Sequence, residues 1–247
     1  TGARGITGYR MIDCMFGALA KLVPDRVAAD SSGGSSLPTF SSIDSDRHFV
    51  FCETLMGTSG ATRTHDGQEG VAHIGSNQAN VPIELIEARY PIRVEDYSLV
   101  PDSGGAGRFR GGLGIRRSYR VLRAGLSLNI RSDKRDHPPH GLFGGGDGAP
   151  SSTWIRRGDE SHSIVQLPLA PVSVEEGDLI VHTMAGGGAV GDPFERDPEH
   201  VLADWIDGKV TTGVARTAYG VVVTGAAVDW EATDALRGGS RGLGDAR

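Results

Sequence analysis

The sequence has few of the features that mark secreted, membrane-spanning or metal-stapled proteins. It contains two cysteines, Cys14 and Cys52, which are too few for a disulfide framework and lack the paired spacing of a zinc site. Its longest apolar runs, such as residues 219–223, are far shorter than the roughly 20 residues that cross a bilayer. No basic segment followed by an apolar stretch opens the chain. These absences predict a reduced, cytoplasmic setting and no membrane partner.

The charge shows no concentrated excess of either sign. The 247 residues include 25 Lys and Arg against 31 Asp and Glu, a formal net charge of −6, and the two signs are interspersed. Nucleic-acid-binding domains instead cluster basic residues on one face. We therefore expect no nucleic-acid partner. A hydrophobic content of 38% is enough for an ordinary globular core.

Glycine is the residue in excess, with 37 of 247 positions, against an average share of about 7%. It clusters at 104–114, 141–148 and 186–191, between short strand-like segments. This pattern predicts tight turns and close backbone approaches in a β-rich body. No cluster has the strand-then-helix context of a dinucleotide fingerprint or the Gly-Lys-Ser/Thr ending of a phosphate loop. We expect that this chain does not hold ATP by itself.

The periodicity predicts an α+β fold, with a β-rich body of mostly antiparallel strands, an N-terminal helix and a helical C-terminal tail. The first helix is predicted at 7–23, with Thr7 as its N-cap and Pro24 as its end. Its apolar stripe consists of Met11, Ile12, Met15, Phe16, Leu19 and Val23. The Ser- and Gly-rich run at 30–42 is interpreted as a loop.

Eight strands are predicted by β-branched and aromatic content, at 48–55, 91–99, 115–122, 126–130, 153–157, 162–167, 171–174 and 179–184. The third and fourth are expected to pair as a hairpin. Further helices are predicted from Asn80 to Ala88, from Asp197 to Ile206, from Thr211 to Gly220 and at 231–236, with a strand at 221–223 and a frayed end from Gly238. The change of character predicts a core domain at 1–193 and a helical tail at 194–247.

Residues 53–84 form the candidate functional segment, because a long glycine-punctuated loop rich in polar side chains is more often functional than a plain connection. His73 is predicted to act as a base, acid or metal ligand, the alternative being a structural histidine bonded to backbone. Arg63 can hold a carboxylate, a phosphate or an oxyanion. Its alternative is a surface ion pair with Asp66, the third predicted catalytic residue.

Asn77, Asn80 and Glu84 are the predicted substrate-binding residues. The amides of Asn77 and Asn80 can bond a substrate amide, although Asn80 can equally cap the following helix. Glu84 is also placed to stabilise the N-terminus of that helix. The run of Asp44, Asp46 and His48 is interpreted as solvated loop residues, and no metal site is predicted in this chain.

Three segments carry a family resemblance: TGYRMIDCMFGALAKLVPDRV at 7–27, the run from NVPIE at 80–84 to PDSGGAGRFRGGLG at 101–114, and GDPFERDP at 191–198. With these motifs in this order, nearly all of the chain resembles the C-terminal portion of the B subunits of the hydantoinase/oxoprolinase family. The resemblance implies a component of a multi-subunit, ATP-dependent hydrolase that opens a small cyclic amide such as a hydantoin, 5-oxoproline or a lactam. It leaves two alternatives, a component of an ATP-dependent ketone carboxylase of the acetone or acetophenone type, and a purely structural subunit.

The resemblance also implies partners. In the family an A-type subunit phosphorylates the amide oxygen with ATP, and the B-type subunit helps deliver water, a step in which His73 can act as base and Arg63 as charge clamp. Family B subunits are longer, and their N-terminal half carries the Asp and His metal ligands. We therefore expect ATP and a divalent metal on partner chains, namely a hydantoinase A-like ATP-binding subunit and a polypeptide that supplies the N-terminal half of the B-type chain. The apolar stripe of the first helix is expected to dock there.

Overall fold

The computed structural model describes residues 4–42, 48–164 and 171–241. Within them lie five α-helices: α1 (Arg4–Leu19), α2 (Ile83–Arg89), α3 (Pro198–Ile206), α4 (Thr212–Tyr219) and α5 (Trp230–Arg241). The first seven strands are β1 (Leu37–Ser42), β2 (Val50–Cys52), β3 (Gly57–Thr58), β4 (Glu69–Val71), β5 (Ile92–Leu99), β6 (Ile115–Val121) and β7 (Leu126–Arg131). The other six are β8 (Ser152–Arg157), β9 (Glu160–Ser163), β10 (Val172–Val174), β11 (Leu179–Thr183), β12 (Val223–Thr224) and β13 (Ala227–Val228).

Two antiparallel sheets form the body. One has the strand order β10-β7-β1-β2 and the other β5-β6-β11-β8-β9, while β3 with β4 and β12 with β13 form two-stranded ribbons. The inner faces of the two large sheets bury one continuous apolar core, which includes Phe40, Tyr119, Leu128, Ile155 and Ile180. The α+β class and the mostly antiparallel strands predicted from the sequence are confirmed.

The predicted hairpin between β6 and β7 is wrong. These consecutive strands lie in different sheets, since β6 pairs with β5 and β11 whereas β7 pairs with β1 and β10. Both strands are central and bury apolar side chains, among them Val121 and Leu126. A hairpin would pair one edge of β6 with one edge of β7. Both edges of β6 already pair with β5 and β11, and both edges of β7 pair with β1 and β10.

The predicted loop at 30–42 contains β1, which is central in its sheet. Its side chains alternate between half-buried and buried, and Phe40 is fully buried. Ser41 forms a 2.7 Å hydroxyl bond with Ser127 on β7. Composition indicated a loop because Ser and Gly are frequent there, but the alternation of half-buried and buried side chains over Leu37–Ser42 is that of a strand. The strand predicted at 48–55 is correspondingly shorter, at Val50–Cys52.

Helix α1 begins and ends earlier than predicted. It spans Arg4–Leu19, so Thr7 lies inside the helix instead of capping it, and Pro24 opens a separate 3-10 helix at Pro24–Arg26. The apolar stripe divides between two faces, because Ile12 and Phe16 are half-buried while Met11 and Met15 are 64% and 56% exposed.

The remaining strand predictions are confirmed in position to within a few residues. Strands β5, β8, β10 and β11 lie where periodicity placed them. The strand predicted at 162–167 corresponds to the end of β9, and residues 165–167 lie outside the described residues.

The helical tail follows its capping residues closely. The Asp197 side chain accepts a hydrogen bond from the Glu199 amide at the start of α3, and Thr211 caps α4, which ends at Gly220 with φ +64°. Helix α5 is longer than the predicted 231–236 and continues past Gly238 to Arg241. Strand β12 begins two residues later than predicted, at Val223. The division into domains at residue 193 stays a prediction.

No helix within the described ranges is both long and apolar enough to cross a bilayer. The glycine clusters instead pack backbone against backbone. The amide of Gly187 donates to the Gly112 carbonyl at 2.8 Å, and the amide of Gly112 donates to the Ser59 carbonyl at 3.1 Å. A Cβ added at Gly186 would lie 1.8 Å from the carbonyl oxygen of Ser103. Glycine is required there because no side-chain carbon fits between the two backbones.

We predict that Gly186→Ala lowers the free energy of unfolding by about 1–3 kcal/mol, since the new methyl group can be accommodated only by separating packed backbone. Gly8→Ala is the matched control, because Gly8 lies in α1 and a Cβ added there would have no heavy atom within 4 Å, and Ala favours a helix by about 1 kcal/mol over Gly. Urea denaturation of both variants measures the difference. Equal stability of the two variants would contradict the close backbone packing at Gly186.

Candidate functional site

The candidate segment at 53–84 is irregular apart from β3, β4 and the start of α2. Its backbone is woven into the glycine clusters, since the Ala61 amide donates to the Gly188 carbonyl at 2.9 Å and the Gly67 amide donates to the Arg110 carbonyl at 2.8 Å. Backbone hydrogen bonds therefore hold the segment in place. Its side chains lie in several separate environments.

His73 is buried beneath α1, with 6% of its surface exposed. Its Nδ1 accepts a hydrogen bond from the Gly75 amide at 3.0 Å, and its Nε2 lies 3.0 Å from Oδ1 of Asp13 on α1. Because Nδ1 is an acceptor, the ring proton belongs on Nε2, which donates to Asp13. The Tyr9 ring packs on the imidazole with centroids 4.7 Å apart. Both ring nitrogens are thus engaged.

Asp13 is joined to a second charged residue of α1, Arg10. The Arg10 Nη1 atom lies 2.7 Å from Asp13 Oδ2, and its Nε atom lies 2.8 Å from Asp133 Oδ2. These are ion-pair distances, but the donor hydrogens do not point at the oxygens. All three guanidinium nitrogens and both of these carboxylate oxygens are buried without a hydrogen-bond partner among the described residues. The arrangement is electrostatically paired but incompletely hydrogen-bonded.

A cleft of about 280 Å³ opens beside these groups, between α1 and the body. Its walls are largely apolar, and Lys134, paired with Asp30, adds a further charged pair. The lining side chains and glycine are Arg10, Asp13, Cys14, Phe16, Gly17, Ala28, Ala29, Asp30, Lys134, His140 and Leu142. An apolar cleft with a few convergent polar groups is the usual form of a small-molecule site. We name it the α1 cleft.

Arg63 lies in a different and more open cleft of about 600 Å³. Its ion-pair partner is Asp25, at 3.2 Å, and not Asp66. The guanidinium also lies over the Phe143 ring, 5.2 Å from its centroid. Nearly half of the side chain is exposed, so this pair contributes little to stability.

Asp66 lies in an ion network with the helical tail. Its two oxygens accept hydrogen bonds from Arg196 at 2.7 Å each, and the Arg110 amide donates to it at 2.7 Å. Both arginines also bond Asp204 on α3. Burial alone would raise the pKa of Asp66, but the hydrogen bonds and charge of Arg196 outweigh it and hold the pKa below its ordinary value. The bidentate geometry is that of a strong structural pair.

The three predicted substrate-binding residues are dispersed. Asn77 and Glu84 are exposed. The Asn80 side chain does not cap α2, whose N-cap is Pro82. Its oxygen accepts from the Met56 amide at 2.9 Å and its nitrogen donates to the Tyr97 hydroxyl. Within the described part of the chain, no hydrogen bond or ion pair joins any two of the six predicted site residues, and their functional roles stay predictions.

Glu53, the first residue of the segment, is fully buried between the sheets. Its oxygens accept from Arg117 at 2.7 Å and from the Tyr119 hydroxyl at 2.6 Å. Burial raises the pKa of Glu53, and the bonds with Tyr119 and Arg117 oppose that rise. Burial also raises the pKa of Tyr119 well above its usual range. No sequence pattern points to this cluster, because Arg117 and Tyr119 lie 64 and 66 residues after Glu53.

His182 on β11 is a second buried histidine that the sequence analysis missed. It lies opposite Arg117 and Thr153 on the neighbouring strands, and its Nδ1 is 2.8 Å from the Thr153 hydroxyl. Its Nε2 has no hydrogen-bond partner in the described ranges. Burial lowers the pKa of His182 to about 4. The alternation of β11 could have predicted this burial, because His182 lies two residues after buried Ile180 and so on the same face of the strand.

No group of three His, Cys, Asp or Glu side chains among the described residues is arranged to hold a metal ion. Asp44 and Asp46 lie outside the described residues, and His48 is exposed. The expectation that nucleotide and metal are held by partner chains stays a prediction.

Arg10, Asp13 and Lys134 are the site residues that sequence reasoning missed. Arg10 and Asp13 are three apart on a helix, which predicts a shared face, but nothing in the sequence connects that face with His73 or Asp133. The contact depends on how α1 lies across the body.

Comparison with known proteins gives one family. A family model described as Hydantoinase B/oxoprolinase matches residues 1–193. The B chain of a putative D-/L-hydantoinase from a Pseudomonas species is 35% identical over 240 residues, covering 96% of this chain and 40% of the relative. The beta chain of the caprolactamase of Pseudomonas jessenii is 30% identical over 240 residues, covering 92% and 41%. The chain therefore spans about two fifths of the length of these relatives.

Two solved structures share the fold. The crystal structure of ATP-dependent caprolactamase from Pseudomonas jessenii has a TM-score of 0.76 at 27% identity, over 90% of this chain and 40% of that one. Nucleotide-free acetone carboxylase has a TM-score of 0.77 at 22% identity, over 93% and 36%. The resemblance inferred from the sequence motifs is confirmed.

We predict a pH-dependent loss of stability from His182. An unfolded histidine has a pKa of about 6.5, and burial lowers the folded value to about 4. The unfolded state thus binds the extra proton between these values, and stability falls as pH decreases from 6.5 to 4, by on the order of 3 kcal/mol. In His182→Gln this part of the loss should disappear, as measured by urea denaturation at several pH values. The control is exposed His162→Gln, and an unchanged profile in His182→Gln would refute the assignment.

Proposed function

The chain belongs to the hydantoinase B/oxoprolinase family, and on that premise we propose that it is a component of a multi-subunit, ATP-dependent enzyme that hydrolyses a cyclic amide. The supporting observation is that two relatives at 30% identity or more, a hydantoinase component and a caprolactamase component, match nearly the whole chain. Hydantoins and caprolactam are both cyclic amides. The acetone carboxylase likeness, at 22% identity, concerns the fold, so ketone carboxylation is the second candidate.

The chemistry requires activation, because an amide carbonyl is a poor electrophile. In the proposed assembly a hydantoinase A-like partner would bind ATP, whose terminal phosphoryl group would convert the amide oxygen into a leaving group. The polypeptide that supplies the N-terminal half of the B-type chain would hold the divalent metal. This chain lines the site where the activated ring is bound and attacked by water. The α1 cleft supports binding of the neutral ring before activation, since it combines apolar walls with buried charged groups.

His73, Arg63 and Asp66 retain proposed roles that the geometry makes specific. A base role for His73 requires its proton to leave Nε2 or its bond with Gly75 to break, because both nitrogens are engaged. Arg63 is half-exposed in its open cleft, and to bind a ligand it would have to exchange its ion pair with Asp25, whereas Asp66 is held by Arg196. His73→Ala and Arg63→Ala separate catalysis from architecture: turnover that survives in an intact assembly would make the loop architectural. Exposed, ion-paired Arg93→Ala is the control.

We also propose that the exposed face of α1 packs against a partner polypeptide in the assembly. Met11 and Met15 on α1 are 64% and 56% exposed, and Leu22, just beyond the end of the helix, is 78% exposed. Apolar surface of this kind favours protein contacts. The partner we propose is the polypeptide that corresponds to the rest of the longer relatives.

We expect the purified assembly that contains this chain to release phosphate from ATP when caprolactam or hydantoin is added without bicarbonate. The reason is that the cyclic amide itself accepts the phosphoryl group in the proposed reaction. Phosphate release and ring opening are measured together, with acetone plus bicarbonate as the comparison. Phosphate release that requires bicarbonate and a ketone would support carboxylation instead and overturn the hydrolase proposal.

For the docking face, we expect Met11→Ser combined with Met15→Ser to weaken retention of the partner polypeptide by at least about tenfold, since burial of a large apolar side chain contributes about 1.5–3 kcal/mol. The measurement is the yield of partner that copurifies with the tagged chain. Leu85→Ser on α2, also exposed, is the control. Unchanged copurification in the double variant would exclude this face as the interface.

A further inference from the structure

We infer that the α1 cleft binds the amide edge of a neutral ring, with Arg10 donating to the ring carbonyl, Asp13 accepting from the ring N–H, and His73 serving as a positioning residue for Asp13. This inference rests on the proposed function and specifies where and how the cyclic amide is held. It assigns to α1 the binding groups that the candidate segment alone does not supply.

The Arg10 and Asp13 side chains carry buried polar atoms without hydrogen bonds. The Arg10 nitrogens and Asp13 Oδ2 are buried, and none has a hydrogen-bond partner among the described residues. Most buried polar atoms in folded proteins are hydrogen-bonded, so a group of unpartnered ones in a cleft requires a physical reason. A bound ligand that supplies the missing donors and acceptors is such a reason.

The two oxygens of Asp13 differ in their hydrogen bonding. His73 Nε2 donates to Oδ1 at 3.0 Å. The imidazole cannot rotate or change tautomer without losing the bond from the Gly75 amide, and the Tyr9 ring packs against it. Oδ1 is therefore held, and Oδ2 is the oxygen left beside the Arg10 guanidinium, at 2.7 Å. His73 thus orients Asp13 without needing to contact the ligand.

Arg10 and Asp13 together match the hydrogen-bonding groups of a cyclic amide. A guanidinium donor beside a carboxylate acceptor presents one donor and one acceptor side by side. In a small lactam or hydantoin ring the amide is cis, so its C=O and N–H lie along the same edge. The carbonyl oxygen can accept from Arg10 while the N–H donates to Asp13 Oδ2. A ketone has no N–H and can satisfy only half of the pair.

The charge and the size of the α1 cleft limit which ligand it can hold. The basic groups Arg10 and Lys134 face three carboxylates, those of Asp13, Asp30 and Asp133. This balance disfavours a phosphate or carboxylate ligand and suits a neutral one. The volume of about 280 Å³ lies at the small end of ligand pockets, which span about 300–1,000 Å³. A compact ring is the class of ligand that fits.

The test measures equilibrium binding of radiolabelled caprolactam and N-methylcaprolactam to the purified assembly without ATP. N-methylation removes the N–H, so the wild-type assembly should bind N-methylcaprolactam about tenfold more weakly, the effect of losing one charge-assisted hydrogen bond. The Asp13→Ala assembly should bind caprolactam more weakly than the wild type by a similar factor. Its affinity for N-methylcaprolactam should equal that of the wild type. A merely structural role of Asp13 would weaken both ligands equally, and that result would overturn the inference.

Two more variants keep the test decisive if Asp13→Ala is poorly folded. Arg10→Lys retains the charge but not the planar fork, and should weaken caprolactam binding about tenfold. His73→Gln retains a donor for Asp13, so it should raise the KM for caprolactam less than His73→Leu, with the KM for ATP unchanged. Asp234→Asn, an exposed residue of α5, is the control. Wild-type binding in both Arg10→Lys and His73→Leu would refute the site.

The outcomes distinguish this inference from the proposed function. An assembly that hydrolyses caprolactam with ATP while all α1 variants bind it normally disproves the site and leaves the function standing. An assembly that binds caprolactam through Asp13 but does not release phosphate with it disproves the hydrolase function and leaves the site standing.

Discussion

The close packing of glycine backbone is the constraint on which the rest of this structure depends. Segments near residues 59, 105, 112, 146 and 187 lie against one another and exchange backbone hydrogen bonds, with carbonyl oxygens at positions that any Cβ would occupy. Such packing has two consequences. It fixes irregular loops through backbone hydrogen bonds. It also leaves little room for side chains between the packed loops, so the larger polar groups lie at its borders.

The α1 cleft is one of these borders. The helix approaches the body over glycine, since a Cβ at Gly34 would overlap the Tyr9 ring and one at Gly75 would crowd Ile12. That approach brings Asp13 onto His73 and Arg10 beside Asp133. Because Gly34 and Gly75 have no side chain, α1 can approach the body closely enough for its charged side chains to reach these partners.

Sequence reasoning was most successful where the controlling interaction is local. The sequence predicted the helix caps at Asp197 and Thr211 and the end of α4 at Gly220. It also predicted strands β5 and β11 from their alternation. It failed where pairing is nonlocal: β6 and β7 are adjacent in sequence but belong to different sheets, and β1 was hidden by its serines. For the site, the sequence predicted His73 as a base, acid or metal ligand, with a structural histidine as the alternative, and its functional role stays a prediction. Its partner Asp13 is 60 residues away, and no periodicity connects the two.

The ion network around Asp66 carries a consequence for how this part of the protein can vary. The Arg196 guanidinium lies between the carboxylates of Asp66 and Asp204, and the Arg110 guanidinium bonds Asp204 and Glu69, so the candidate loop, the glycine turn and helix α3 share two buried guanidinium groups. Removing one of these five charged side chains leaves an uncompensated charge in a low-dielectric interior. A substitution at the start of the helical tail is therefore tolerated only with a matching change in the loop that it contacts.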